Sequence, residues 1–206
     1  MTLWWTAVAF ISGSLMFSYW LGLAARKNLK EIGDGNPGAL NLWQSSGYRL
    51  GAAGVALDFL KGYLPIALLM GSAAVQGFRI VPIAAAPILG HAFSPFLKGR
   101  GGKAIAVTFG VWSGLTEFEF ALVYAIILAV LLIIAKTVRK GRPTSSEADS
   151  FQVVSGMLLA FPYLYIRDFP APVMWCWLGN FLLLVYTHRR ELSTFFRRIR
   201  NEPGAR

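Results

Sequence analysis

Residues 99–103 read Gly-Arg-Gly-Gly-Lys and run straight into an apolar stretch, Ala-Ile-Ala-Val-Thr-Phe-Gly. Glycines lack the Cβ that keeps a backbone away from a ligand, and a lysine opening a helix adds a counterion to its positive end. Gly101, Gly102 and Lys103 are therefore expected to cradle an anion, with free amides and an ammonium converging on it. The G-x-x-x-x-G-K-[ST] pattern of a Walker A loop is absent. A second cluster, Gly33-Asp34-Gly35-Asn36-Pro37-Gly38 with Asn41 following, can form an anion nest or serve as a tight turn between helices. Asp58 and Lys61 lie three apart in an otherwise apolar run, so they share a helix face and are expected to pair. An unpaired charge in hydrocarbon costs about 2.5–3.5 kcal/mol or more on insertion scales. His91 and His188 both sit in or against apolar runs, where a histidine either serves a site or bonds a neighbouring helix.

Other chemistries lose support. Neither histidine begins an H-x-x-x-x-D motif, since Pro95 and Phe96 follow His91, and Leu192 and Ser193 follow His188. There is no G-x-S-x-G elbow, and one cysteine, Cys176, makes neither a disulfide framework nor a zinc site. Catalysis by this chain must come from positioning and anion stabilisation, and it calls for no metal and no soluble cofactor.

The elements that hold these residues are membrane helices. The chain has 206 residues, 55% of them hydrophobic, and a mean hydropathy of +0.52. A bilayer core of about 30 Å needs roughly 20 apolar residues per helix. On that rule the fold class is all-α and polytopic, one domain over residues 1–206, with seven spans near 3–24, 50–70, 80–96, 103–116, 118–135, 152–166 and 171–187. The first stretch carries its charges after its apolar run, the reverse of a signal peptide, and is expected to be a retained span.

The basic residues settle on alternate connections. Arg26, Lys27, Lys30 and Arg49 form one group, Lys98, Arg100 and Lys103 a second, and Lys136, Arg139, Lys140 and Arg142 a third. Arg189, Arg190, Arg197, Arg198, Arg200 and Arg206 follow the last span, so these segments hold 17 of the 20. The bias predicts an outside N-terminus and a cytoplasmic C-terminus, and it accounts for the net charge of +10 without nucleic acid. The tail His-Arg-Arg-Glu-Leu-Ser-Thr-Phe-Phe is suited to anionic lipid, with Phe195 and Phe196 dipping into the interface. Residues 142–150 read as an ordinary loop.

Taken together, these residues resemble the PlsY-type bacterial glycerol-3-phosphate acyltransferases over about residues 12–192. The likeness rests on the first-span stretch Gly-Ser-Leu-Met-Phe-Ser-Tyr-Trp-Leu-Gly, G-x-G-N-x-G-A-x-N at Gly33 to Asn41, Leu57 to Pro65, Leu89 to Lys103, a serine heading the sixth span (Ser150), and Y-x-H-R at Tyr186 to Arg189. It implies acyl transfer from an acyl phosphate donor to the 1-hydroxyl of glycerol 3-phosphate, giving lysophosphatidic acid for phospholipid synthesis at the bacterial inner membrane, with the site on the cytoplasmic side. It also implies catalytic roles for Lys103 and His188, and substrate contacts for Gly33, Gly35, Asn36, Asn41, His91, Gly101, Gly102 and Ser150. The chain departs from the pattern at Asp34, where the family has a hydroxyl, at Gln44 for arginine, at Glu191 for asparagine and at Ala104 for glycine. Asp34 and Glu191 would repel a phosphate that Gln44 no longer neutralises, and Asp34 could act as general base. An acyltransferase with an unphosphorylated acceptor, or a lipid-handling protein without turnover, therefore stays open beside the leading reading.

Overall fold

The computed structural model describes residues 1–72 and 75–201, and among them regular structure is entirely helical. The order is α1 (Thr2–Ser14), α2 (Phe17–Ala24), α3 (Ala39–Ala67), α4 (Ile80–Ala92), α5 (Ile105–Leu115), α6 (Glu119–Val138), α7 (Ser146–Ile166), α8 (Ala171–Thr187) and α9 (Arg189–Asn201). Arg206, counted with the C-terminal basic group, lies outside the described residues.

Four stretches are long and apolar enough to cross a membrane by length and composition: Thr2–Ala24, Ala39–Ala67, Gly77–Leu97 and Glu119–Val138. The other three expected spans are helical but fall short of that measure. α5 and α8 are apolar but short, and α7 starts well before residue 152, with Glu147 and Asp149 in its first turn. Ser145 caps α7 by accepting the Ala148 amide, and its acids face the positive helix end, so much of the expected loop 142–150 is helix. α3 likewise begins at Ala39 instead of residue 50, and Gly47 breaks it at φ 82° and ψ 175°.

α1 packs on α4, α3 on α5, α6 on α7, and α9 on the start of α7. Lipid offers no hydrophobic drive for helix association, so these contacts depend on backbones approaching closely. A Cβ on Gly90 would stand 2.2 Å from the Phe10 carbonyl of α1, and one on Gly110 2.1 Å from the Phe59 carbonyl of α3.

The first expected span is split where Leu15 turns extended, at φ −63° and ψ 122°. The break presents the Leu15 carbonyl to a buried charge: the Lys61 ammonium donates to it and stands 2.8 Å from Asp58 Oδ1. Ser18 Oγ donates to the other Asp58 oxygen, and Ser12 Oγ donates to the Lys61 carbonyl. Asp58 and Lys61 are both buried, so each charge depends on the other.

Asp58→Ala should strand Lys61 at a cost of about 3–5 kcal/mol. The expected outcome is a marked fall in monodisperse protein by size-exclusion chromatography in detergent. Asp58→Leu combined with Lys61→Met should recover much of it, since that pair leaves no buried charge.

Candidate functional site

Two glycine loops meet above the buried ion pair. In the first, Gly33 and Gly35 have φ of 57° and 74°, and one side chain pins the turn they make. Asn41 Nδ2 donates to the Ile32 carbonyl at 2.7 Å, the Asn36 carbonyl at 2.9 Å and Asp34 Oδ1 at 3.0 Å. Asp34 Oδ1 also accepts the Asn36 amide at 3.1 Å. Gly33 and Asn41 thus shape the loop, leaving Asp34 Oδ2 and the Asn36 side chain to face outward.

The second loop differs from the free-amide cradle expected of it. Gly101 N donates to the Ala92 carbonyl at 3.0 Å and Gly102 N to the His91 carbonyl at 3.1 Å. The end of α4 leaves carbonyls without helical partners, and these glycine amides satisfy them. The approach is so close that a Cβ on Gly101 would lie 1.7 Å from the His91 carbonyl oxygen, and one on Gly102 2.3 Å from His91 Nε2. Lys103 precedes the helix instead of opening it, and its amide donates to Asn36 Oδ1 at 3.2 Å. Ala104 caps α5 at φ 62°, a left-handed conformation that costs a residue with a Cβ about 1–2 kcal/mol relative to the right-handed one.

The Lys103 side chain is where distant parts of the chain converge. Its Nζ lies 2.7 Å from Asp34 Oδ2, 2.9 Å from Glu191 Oε1 and 3.4 Å from Ser146 Oγ, while Ser146 Oγ donates to Asp34 Oδ2 at 3.2 Å. Asp34 comes from the first loop, Ser146 from the start of α7 and Glu191 from the first turn of α9. The ion-pair partner of Asp34 is therefore Lys103. Burial works to raise the Asp34 carboxyl, but the Lys103 ammonium and the Asn36 and Asn41 donors outweigh it and hold it below the ordinary carboxylate value.

His188 follows the last residue of α8 and is fully buried. Its Nδ1 is 2.9 Å from the Leu184 carbonyl, which fixes the proton on Nδ1 and leaves Nε2 as an acceptor without a partner among the described residues. Burial pushes the imidazole down to about 4, against a smaller opposing pull from the Leu184 carbonyl. Thr187 Oγ1, 3.1 Å from that Nδ1, also donates to the Lys103 carbonyl at 3.4 Å.

Two cavities open on either side of Lys103. A polar one of about 590 Å³ is lined by Lys30, Arg100, Lys103, Arg189 and Arg190, by Asp34 and Glu191, and by Gly35, Asn36, Gly101 and Gly102 among others. A smaller one of about 320 Å³ is mostly apolar, with Leu40, Val55, Ile105 and Phe109 in its walls and Asp58 and His91 also lining it. Lys103 and Asn36 line both. A third depression of about 560 Å³, between α1 and α4, has no titratable lining group and is remote from this chemistry. Among the described residues no cluster of three or more His, Cys, Asp or Glu could hold a metal ion.

Most residues singled out from sequence meet here; Gly33 and Asn41 shape the first loop without lining a cavity, and three more stand apart. Gln44 is exposed, Ser150 is buried one turn beyond Ser146, and His188 sits behind the Thr187 wall; none of them lines either cavity. Ser146 was missed although a signal for it exists: Ser145-Ser146-Glu147-Ala148-Asp149 before an apolar run is a helix-start pattern.

Known proteins share this arrangement of sequence and fold. The family model described as glycerol-3-phosphate acyltransferase matches residues 3–198. A Thermotoga maritima protein named glycerol-3-phosphate acyltransferase 1 is 37% identical, covering 92% of this chain and 95% of its own length. An Aquifex aeolicus glycerol-3-phosphate acyltransferase is 24% identical over 90% of each chain. Among solved structures, one described as PlsY (YgiH), an integral membrane glycerol 3-phosphate acyltransferase, in its glycerol 3-phosphate form, superposes with a TM-score of 0.83. It shares 23% identity and covers 95% of this chain and 92% of its own, and its lysophosphatidic acid form gives 0.80. At that identity the likeness establishes the fold.

The state of His188 sets a pH dependence. Its pKa is about 4 when folded and about 6.5 when unfolded, so between these values the unfolded chain binds the extra proton and stability falls as pH falls. Asp34, held below the ordinary 3.8, stays ionised through that window and does not contribute to it. Thermal unfolding in detergent should show Tm dropping from pH 6.5 to about 4, and His188→Gln should make that slope shallower. An equally steep slope in the variant would rule out the buried neutral imidazole.

Proposed function

The chain belongs to the glycerol-3-phosphate acyltransferase family, and on that premise we propose that it transfers an acyl chain from acyl phosphate to the 1-hydroxyl of glycerol 3-phosphate, giving lysophosphatidic acid. The observation that carries this reading is the position of Lys103 on the wall shared by a polar cavity and an apolar one. An acyl phosphate has the same two halves, a phosphate and a hydrocarbon tail, joined at the carbonyl that reacts. Lys103 holds the donor phosphate, the tail occupies the pocket of Leu40, Val55, Ile105 and Phe109, and the acceptor enters among Lys30, Arg100, Arg189 and Arg190.

In the reaction the acceptor hydroxyl oxygen attacks the acyl carbonyl carbon, the bond from that carbon to the phosphate oxygen breaks, and inorganic phosphate leaves. The hydroxyl proton passes to a phosphate oxygen. Charge builds on the leaving phosphate, which is where a preorganised ammonium lowers the barrier. Asn36 aims Lys103 through its backbone amide, and Thr187, backed by neutral His188, braces the Lys103 carbonyl. His188 is thus a positioning residue. The acyl tail requires a bilayer, and the basic loops that border the polar cavity support a seven-span chain with its N-terminus outside and this site on the cytoplasmic face of the inner membrane.

One observation favours a second acceptor class. Asp34 and Glu191 both occupy Lys103, and a carboxylate that can take a hydroxyl proton directly suits an unphosphorylated alcohol. Asp34→Asn abolishes activity if Asp34 is the base. Asp34→Ser, in contrast, keeps kcat and lowers KM for glycerol 3-phosphate if the carboxylate merely competes with phosphate.

Phosphate release from acyl phosphate should depend on added glycerol 3-phosphate, and Lys103→Ala should lower it roughly 100-fold or more while the protein stays folded. Release that persists in the variant, or that no acceptor stimulates, would sink the assignment. For topology, a cysteine at Arg142 should be labelled by an impermeant reagent only from the cytoplasmic side, and one at Glu117 only from outside.

A further inference from the structure

The outer face of α9 plays no part in the acyl transfer derived above. Leu192, Phe195, Phe196 and Ile199 fall at the i, i+3, i+4, i+7 spacing of one helix face. α7 covers only one edge of that stripe. Phe195 stacks on Phe151 with ring centroids 4.6 Å apart, whereas Phe196 and Ile199 are 56% and 59% exposed. Around the stripe the helix carries Arg197, Arg198 and Arg200, while Arg189, Arg190 and the single acid, Glu191, line the polar cavity. An apolar edge left open beside this many arginines is complementary to the headgroup layer of an anionic bilayer, which takes the rings below the headgroups and pairs the guanidinium groups.

That one acid is the residue ion-paired to Lys103 at 2.9 Å. Only His188 separates α9 from α8, so a roll or tilt of α9 pivots at the site itself. The Lys103 backbone is tied to Asn36 and to Thr187 of α8, not to α9. We propose that α9 binds anionic lipid headgroups and that this seating draws Glu191 off Lys103, leaving the ammonium with Asp34 as its one carboxylate partner and more available to a phosphate. Docking of α9 stands on its own surface chemistry, whereas its consequence for turnover rests on the acyl-transfer reading.

The sign of the effect sets it apart from plain surface charge. An anionic bilayer repels anionic substrates and by itself raises their KM, but release of Lys103 lowers it. The full chain is reconstituted in phosphatidylcholine vesicles with or without phosphatidylglycerol and read in three ways. An environment-sensitive fluorophore is placed on Ser193→Cys, Ser193 being exposed and the native Cys176 buried. Reductive labelling of Lys103 by pyridoxal phosphate, followed by mass spectrometry, reports its availability without turnover. KM for glycerol 3-phosphate reports the outcome.

Phosphatidylglycerol should shift the emission to the blue, speed Lys103 labelling by about fivefold and lower KM. Arg197→Gln with Arg200→Gln, both outside the cavity, should remove all three responses while keeping activity in phosphatidylcholine. Glu191→Gln should give fast labelling in either lipid. An unchanged emission overturns the docking, and shifted emission with unchanged or slower labelling overturns the coupling. Absence of turnover in every lipid would refute the acyl-transfer reading, while emission and labelling would still decide the role of α9.

Discussion

For the proposed reaction, an ammonium group that is to receive a phosphate has to be aimed and neutralised while the site is empty. Lys103 meets both demands with groups that are far apart in the chain. Its backbone is held by Asn36 and Thr187, and its charge by Asp34 and Glu191, with Ser146 bridging the first of these. The order of helices follows from that convergence: the first glycine loop must face the end of α4, α7 must begin beside it, and α9 must turn back immediately after α8. Moving any one of them leaves a charge without its counterion in a poorly solvated place.

Below this cluster the same physics recurs with fewer solutions available. Asp58 and Lys61 face each other inside the helix bundle, where water cannot help, so the chain supplies Ser18 and the carbonyl exposed at the Leu15 break. The interruption between α1 and α2 is thus the feature that gives the Lys61 ammonium a second partner. The pocket between this pair and Lys103 has mostly apolar walls, with Asp58 and His91 also lining it, so an apolar space separates the two charged layers.

Much of this could be read from residue types, because apolar runs in lipid must be helical and a glycine-rich loop ending in lysine favours anions. α8 runs from Ala171 to Thr187, where its apolar run lies. What sequence conceals is competition between partners. Free amides at Gly101 and Gly102 are a fair expectation for an isolated loop, but the end of α4 brings carbonyls that claim them. Helix starts at Ala39 and Ser146 lie ahead of the apolar runs that a hydropathy count finds, the first after an extended Gly38 and the second under a serine cap. Glu191 stands out in sequence as an acid where the resembled family has asparagine, but its pairing with Lys103 appears only once α9 folds back.

The two acids also change what phosphate binding means in this chain. One ammonium between two carboxylates leaves a surplus negative charge, which by itself would repel a phosphate monoester. Yet four further cations, Lys30, Arg100, Arg189 and Arg190, line the same cavity, so a carboxylate displaced from Lys103 has other cations within the site. In the proposed reaction, entry of a phosphate is then an exchange of one anion for another at Lys103, with little net desolvation of the ammonium. On this account the acids at positions 34 and 191 set how tightly phosphate is held, leaving to Lys103 the charge that develops on the departing group. A hydroxyl or amide at those positions would leave the empty site with an unpaired lysine and a stronger grip on phosphate. Carboxylates exchange that grip for a site that is electrostatically settled before substrate arrives.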